Sequence, residues 1–373
     1  MAESTRLVDL VQTAADRFLT DRETELAEIA DELKPFGGFA RDLLAGGKRF
    51  RALFCYWGWQ SVRSLVDPLD PLPSEDRSTE FEAVIQACTA LEFFHAAALV
   101  HDDLMDNSDT RRGLPSVHRR FESLHAKAGW SGRPARFGRS GALLLGDLLL
   151  GWSDELLDAG LALLADPPVA RAARVEFGRM RTEVTVGQYL DILEEAAWAE
   201  HSETEQLSRA HRVIIFKSAK YSIEAPLALG AALGGASLPQ LESLRSFGLP
   251  LGVAYQLRDD LLGVFGDPSE TGKPSGDDLR EGKRTVLIAI ARSRLSGGAR
   301  RALDELLGDP ELDGQQISML QSTIRDSGAV EQVERIIEHN VALAQSAVSD
   351  APLTRAAREQ LSRLAERVTQ RTS

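Results

Sequence analysis

Cysteine is almost missing from this sequence: Cys55 and Cys88 are the only two in 373 residues. A disulfide framework is therefore excluded by number, and both residues, lying in apolar helical runs, read as buried free thiols. Positive charge is also short. Lys and Arg number 43 against 56 Asp and Glu, for a net charge of −13. That balance argues against general nucleic-acid binding and against a polybasic membrane patch. The N-terminus is acidic and amphipathic, without the basic flank and apolar core of a signal peptide. No apolar run reads as reaching the roughly 20 residues that span a bilayer. Together these absences predict a cytoplasmic protein with no stable membrane insertion and no nucleic-acid partner. β-Branched alternation is nearly absent as well, so the expected fold is all-α.

What is present is helical periodicity from end to end. At 43% hydrophobic and 27% charged residues, the chain can bury a large core. No shift in composition marks a boundary, which predicts one domain over 1–373, with chemistry-bearing motifs between about 40 and 290 and amphipathic helices in 291–373. Thr5 to Leu33 is amphipathic, and Pro35-Phe36-Gly37-Gly38 is expected to break it before a short turn at Phe39 to Leu44. A helix is expected from Lys48 through Trp59, a proline-rich loop at Val66 to Asp76, and a helix from Glu80 to Asn107. Lys127 to Ser140 reads as a second loop. Gly141 to Leu164 reads as a core helix ended by Pro167-Pro168. Helices follow at Val169 to Glu195, Glu203 to Leu233 and Leu238 to Phe265, then a loop at Gly266 to Arg284, a helix at Thr285 to Arg294, and two or three amphipathic helices.

The chemistry centres on Leu99-Val100-His101-Asp102-Asp103-Leu104-Met105-Asp106-Asn107. Carboxylates ending an apolar run are costly unless something positive meets them. Asp102 and Asp106 lie one helical turn apart on one face, with Asp103 beside them. Carboxylate oxygens suit Mg²⁺, typically held by one or two carboxylates plus substrate phosphates. Alone, such a cluster also fits a solvated acidic helix end. Asp109 and Arg111-Arg112-Gly113 follow, and a cation pair just past a carboxylate cluster is what a metal-bridged diphosphate requires. Gln256-Leu257-Arg258-Asp259-Asp260 again ends an apolar helix; two such helices side by side would set two carboxylate groups across a shared cavity. Gly46-Gly47-Lys48-Arg49-Phe50-Arg51 is expected to open a helix, with Lys48 and Arg51 gripping an oxyanion near its positive end; alone, the motif also fits a solvated basic turn. His95, about two turns before Asp102, could add a hydrogen bond, and by itself also fits a packed core histidine. Lys217, Lys220, Lys273 and Lys283 are further candidate anion partners, with solvated surface lysine as the alternative for each.

These residues, with Gly187-Gln188, Asp191 and Phe216-Lys217, stand in the order that characterises the trans-prenyltransferases, or polyprenyl diphosphate synthases, and the sequence resembles that family from Gly46 to Thr285. The resemblance implies a helical bundle around a deep cavity and a homodimer. It also implies an Mg²⁺-dependent condensation of isopentenyl diphosphate with an allylic diphosphate, using three ions per site. Asp102, Asp103 and Asp106 would serve metal from one wall, Asp259 and Asp260 from the other. Arg111, Lys217, Gln256 and Lys273 would hold the allylic diphosphate, with Lys283 a further substrate contact. Lys48, Arg51, His95 and Arg112 would hold isopentenyl diphosphate. The catalytic set would be Asp102, Asp106, Arg111, Lys217 and Asp259. One departure stands out: the family's second motif is commonly DDxxD, but its fifth position here is Gly263, and the next acid is Asp267. Because the first Asp is the chief metal contact there, activity is expected to survive with altered outer-shell water contacts.

Product length is expected to follow the helix before Asp102. Ala97 and Ala98 are too small to close the cavity, and Phe93 and Phe94 lie one turn further back. A floor there predicts geranylgeranyl diphosphate; if both rings belong to the core instead, longer products form. Farnesyl or longer products, a non-catalytic subunit of a heteromeric synthase and a class I terpene cyclase are the competing readings. A cyclase would not need the second diphosphate site that Lys48, Arg51 and Arg112 suggest.

Overall fold

The computed structural model of the protein describes residues 2–63, 75–111, 113–267 and 275–369. Helices α1 (Ala2–Ile29), α2 (Lys34–Leu44), α3 (Phe50–Val62) and α4 (Glu75–Met105) lead to a small ribbon, β1 (Thr110–Arg111) and β2 (Leu114–Pro115). Then come α5 (Val117–Ala128), α6 (Pro134–Leu161), α7 (Pro167–Ala197) and α8 (Glu203–Val213). A π-helical segment (Ile214–Glu224) continues into α9 (Ala225–Leu233), followed by α10 (Leu238–Phe265) and α11 (Asp277–Glu281). The chain finishes with α12 (Val286–Arg294), α13 (Gly297–Leu306), α14 (Gly314–Asp326), α15 (Ala329–Ser349) and α16 (Arg355–Thr369). Among the described residues the two-residue ribbon is the only sheet, so the fold is all-α as expected.

Two compact units emerge, each drawn from separate stretches of chain. The first comprises Met1–Glu176 and Pro226–Ala236, and α4 is its centre, packed against α6, α3 and α1. Ala83 to Val100 is buried almost without interruption, because an interior helix is apolar all round. That corrects the expectation that no stretch is long enough for a membrane. Thr79–Met105 passes by length and composition, with a mean hydropathy of 1.6, yet 78% of its most apolar window is buried inside the protein. Phe93 stacks edge-on to Phe18 of α1 at 5.3 Å, and Phe18 in turn meets Trp152 of α6.

The second unit comprises Phe177–Ala225 and Ser237–Ser373. Its axis is α10, which packs against the π-helical segment and α15. Leu257, Leu261, Val264, Leu279, Leu287 and Ile337 form its buried interior.

Several boundaries differ from expectation, and proline explains most of them. Pro35, Pro134 and Pro167 begin helices rather than ending them, since the first helical turn has no use for the missing N–H. The loop expected over Lys127 to Ser140 shrinks accordingly to residues 129–133, with Gly129 closing α5 in the left-handed conformation. Most of the loop expected at Val66 to Asp76 lies outside the described residues, and α4 already begins at Glu75. Four helices, not two or three, follow α12 among the described residues.

Candidate active site

The end of α4 carries the first acidic group. Asp102 and Asp106 are half-buried on the same face, whereas Asp103 is 2% exposed. Asn107, with φ 52°, stops the helix in a left-handed conformation that asparagine tolerates. The ribbon then turns back through Gly113, at φ 74°, and delivers Arg111 to the acids. Arg111 Nε donates to Asp103 Oδ1 at 2.9 Å and Nη2 to Asp102 Oδ2 at 3.2 Å, with a second bond from Nη2 to Asp103. The positive partner that the acidic helix end demanded is therefore present in the chain itself. Asp103 is engaged in holding this guanidinium, a planar fork suited to carboxylates.

The Gly46-Gly47 stretch does not open a helix at Lys48. Gly46, Gly47 and Arg49 all have positive φ (67°, 92° and 48°), and α3 starts only at Phe50. Lys48 is exposed just ahead of the helix and Arg51 lies inside it, so the two do not share a helical face. A buried pair fixes this bend: Arg49 Nη1 donates to Glu92 Oε2 of α4 at 2.9 Å, and Nη2 to Gln12 Oε1 at 2.6 Å and to the Leu44 carbonyl. Sequence reasoning overlooked both residues. The available signal was Glu92 itself, a lone acid within an apolar run, which has to find a cation.

In the second unit, Gly187 of α7 meets the π-helical segment backbone to backbone. A Cβ on Gly187 would lie 2.7 Å from Lys217 Cα and closer still to Lys217 N and Phe216 C. Gly252 of α10 approaches the same segment at Ala219. The widened winding, frequent at functional sites, places Lys217 in an ion pair with Asp191 and Lys220 in one with Glu183 at 2.6 Å. On α10 the paired acids separate: Asp259 is exposed and Asp260 is 5% exposed. Gln256 Nε2 donates to Asp260 Oδ1 at 2.8 Å, while Oδ2 is buried without a hydrogen-bond partner. Burial holds the Asp260 carboxyl well above the usual carboxylate range; the Gln256 hydrogen bond opposes this, and Asp278 and Asp259 add to it. Lys283 pairs with Glu281 at 2.8 Å.

Among the described residues no three His, Cys, Asp or Glu side chains converge as a self-sufficient metal cage. In the first unit the half-buried carboxylates of Asp102 and Asp106, and in the second exposed Asp259 with an unsatisfied oxygen on Asp260, nonetheless each suit Mg²⁺, which usually completes its octahedron with water and substrate phosphates.

Comparison with known proteins matches residues 35–324 to the Polyprenyl synthetase family. This chain belongs to that family. The chain is 30% identical over 282 residues to the geranylgeranyl diphosphate synthase of Saccharolobus solfataricus, covering 75% of this chain and 73% of the relative. It is 28% identical to the short chain isoprenyl diphosphate synthase of Methanocaldococcus jannaschii, covering 74% and 71%. Its structure matches the geranylgeranyl pyrophosphate synthase of Corynebacterium glutamicum, solved with isoprenyl diphosphate and magnesium. The match has a TM-score of 0.89 at 37% identity, over 98% of this chain and 99% of the other. The protein is a trans-prenyltransferase.

Within the first unit, Asp102, Asp103 and Arg111 meet directly. His95 is half-buried on the same α4 stripe as Ala98, Leu99 and Asp102. Within the second, Lys217 meets Asp191 and Gln256 meets Asp260. Arg112 and Lys273 lie outside the described residues.

Proposed function

We propose that the protein condenses isopentenyl diphosphate with an allylic diphosphate to make geranylgeranyl diphosphate, with three Mg²⁺ ions per active site. The observation that carries this reading is the Arg111 fork closed over Asp102 and Asp103, an electropositive group built onto a carboxylate wall. Asp102, Asp106 and Asp259 would hold the metal, and bound Mg²⁺ would neutralise charge on the departing diphosphate. Asp103 and Asp260, both buried, would act behind these ligands.

Arg111 and Lys217 would receive the allylic diphosphate as its bond to carbon breaks, assisted by Gln256, Lys273 and Lys283. To do so, Lys217 must exchange its Asp191 partner for phosphate oxygens. The resonance-stabilised carbocation left behind is attacked by the double bond of isopentenyl diphosphate, held by Lys48, Arg51, His95 and Arg112. Holding both reactants replaces a difficult bimolecular encounter. Loss of a proton from the adduct completes the cycle.

Product length follows the accessible face of α4. Ala97 and Phe93 are wholly buried, and Phe93 belongs to the aromatic core. Ala98 shares the half-buried stripe with Asp102, and Phe94, itself buried at 4% exposure, lies one turn before Ala98, where that stripe ends. Ala98 and Phe94, not Ala97 and Phe93, are therefore the ruler. A helical turn of about 5.4 Å approximates one isoprene unit, so a floor at Phe94 rather than at Ala98 allows one unit beyond farnesyl.

The chain acts as a single synthase domain, since the family match runs through stretches of both units. A homodimer is supported by exposed Leu143 and Leu144 on α6. A cytoplasmic location accords with α4 being buried in the core.

The test is incubation of the purified protein with isopentenyl diphosphate, each allylic diphosphate in turn, and Mg²⁺. Twenty-carbon product is expected. Ala98→Phe shortens it and Phe94→Ala lengthens it by chromatography of the dephosphorylated alcohols. No turnover with any allylic partner would refute the function; unchanged lengths would refute the ruler.

A further inference from the structure

Gly263 leaves the second acidic motif one carboxylate short, and α10 has nothing of its own to replace it. Residues 259 and 263 are one helical turn apart on one face, so an acid at 263 would stand beside Asp259. The space above Gly263 is not empty. A Cβ there would lie 2.8 Å from Asp278 Oδ1 and closer still to Asp278 Cγ and Oδ2. The carboxylate of Asp278 thus fills the volume that a side chain at 263 would occupy.

We propose that Asp278 supplies the carboxylate missing at Gly263 and, as a positioning residue, holds the water shell of Mg²⁺ bound at Asp259. The proposal rests on the Mg²⁺-dependent reading above. Two further observations support it. Asp260, 95% buried, has one carboxylate oxygen with no donor in the protein. The charged groups bearing on it are Asp278, Asp259 and Lys283, two carboxylates and one lysine. A hydrated divalent cation beside Asp259 would bring the hydrogen-bond donors that this buried Asp260 oxygen lacks.

Delivery of Asp278 is also built in. Gly276, at φ 73°, turns the chain into α11. Leu279, next to Asp278, is fully buried in the core of the second unit. The Leu279 carbonyl accepts from Gly308 N at 2.9 Å, and the Asp278 carbonyl accepts from Lys283 N at 3.1 Å. A side chain 15 residues beyond Gly263 in sequence is thereby held over one turn of α10.

The test uses the full chain and follows MgCl₂ binding in the presence of inorganic diphosphate, by calorimetry and by the Mg²⁺-dependent rise in Tm. Asp278→Asn keeps the shape and removes the charge. It should weaken Mg²⁺ by about 10–100-fold, as lost outer-shell partners typically do, with unchanged circular dichroism. Asp278→Ala should do the same, and Gly263→Asp/Asp278→Ala, which returns the acid to α10 and clears the space for it, should regain most of the loss. A merely structural Asp278 would change Tm without changing Mg²⁺ affinity. Native affinity in Asp278→Asn overturns the proposal, as does a double variant no better than Asp278→Ala. Should the Ala background fail to fold, the Asn variant decides alone. If the native chain itself shows no Mg²⁺ response with diphosphate, the metal reading and this proposal both fall.

Discussion

Replacing Gly187 with alanine should impair catalysis far more than stability, although alanine is the better helix former. Two terms compete in stability. Alanine gains about 1 kcal/mol over glycine in a helix interior, and overpacking a tight contact costs about 1–3 kcal/mol. The contact is tight: the new Cβ would lie 2.7 Å from Lys217 Cα, where ordinary contact is 3.4–4 Å, and nearer still to two other backbone atoms. Because all three neighbours are backbone, no side chain can swing aside, and α7 and the π-helical segment must part. The net cost is then about 0–2 kcal/mol. At about 2–4 °C per kcal/mol for chains of 150–250 residues, and less for a longer chain, Tm falls by a few degrees at most. Lys217, whose backbone takes the push, moves relative to Asp191. Misplacement on the order of 1 Å costs about 10²-fold in rate. Steady-state incorporation of labelled isopentenyl diphosphate should therefore show kcat down by about 10²-fold, beside a small calorimetric shift. Native kcat together with a raised Tm would refute the argument that this glycine exists to seat Lys217.

Glu92→Ala strands Arg49 in the interior and should cost about 3–5 kcal/mol, as breaking a buried pair does; an unchanged urea midpoint would refute it. Arg111→Lys keeps the charge but loses the fork over Asp102 and Asp103, so kcat should fall with circular dichroism unchanged, and native turnover would count against that geometry. Lys48→Ala should chiefly raise KM for isopentenyl diphosphate and Lys217→Ala chiefly lower kcat; identical defects would argue against two diphosphate sites. His118 is buried, and burial first, then neighbouring Arg119, lowers its pKa from 6.5. The unfolded chain therefore takes up this proton before the folded one does. His118 contributes stability that is full above about pH 6.5 and lost as pH falls through the folded value. In His118→Gln the decline of Tm below pH 6.5 should be shallower than in the native protein; an identical pH profile would refute this.

Much of the architecture is local and therefore written in the chain. Helical periodicity predicts the long helices, including α10 over the same residues, Leu238 to Phe265. Asp102 and Asp106 share a face because residues four apart on a helix must. The order of motifs places the chain in its family before any coordinate is known. Proline marks helix boundaries from sequence but not their direction: Pro134 and Pro167 open helices only because the neighbouring segments end short of them.

Tertiary structure decides what lies between residues distant in sequence. Glu92 signals a buried acid that needs a cation, yet only the fold selects Arg49, 43 residues away. Phe93 and Phe94 look interchangeable in the sequence; packing sets Phe93 edge-on to Phe18, while Phe94, also buried, lies one turn before the half-buried Ala98. The π-helical segment at Lys217 is met backbone to backbone by α7 and α10 at two glycines, an approach that no local periodicity encodes. Gly263 is a gap when α10 is read alone, and the structure puts the Asp278 carboxylate in that space. Propensity and periodicity act over a turn or two of helix, whereas close packing is settled by whichever segments the whole chain brings together.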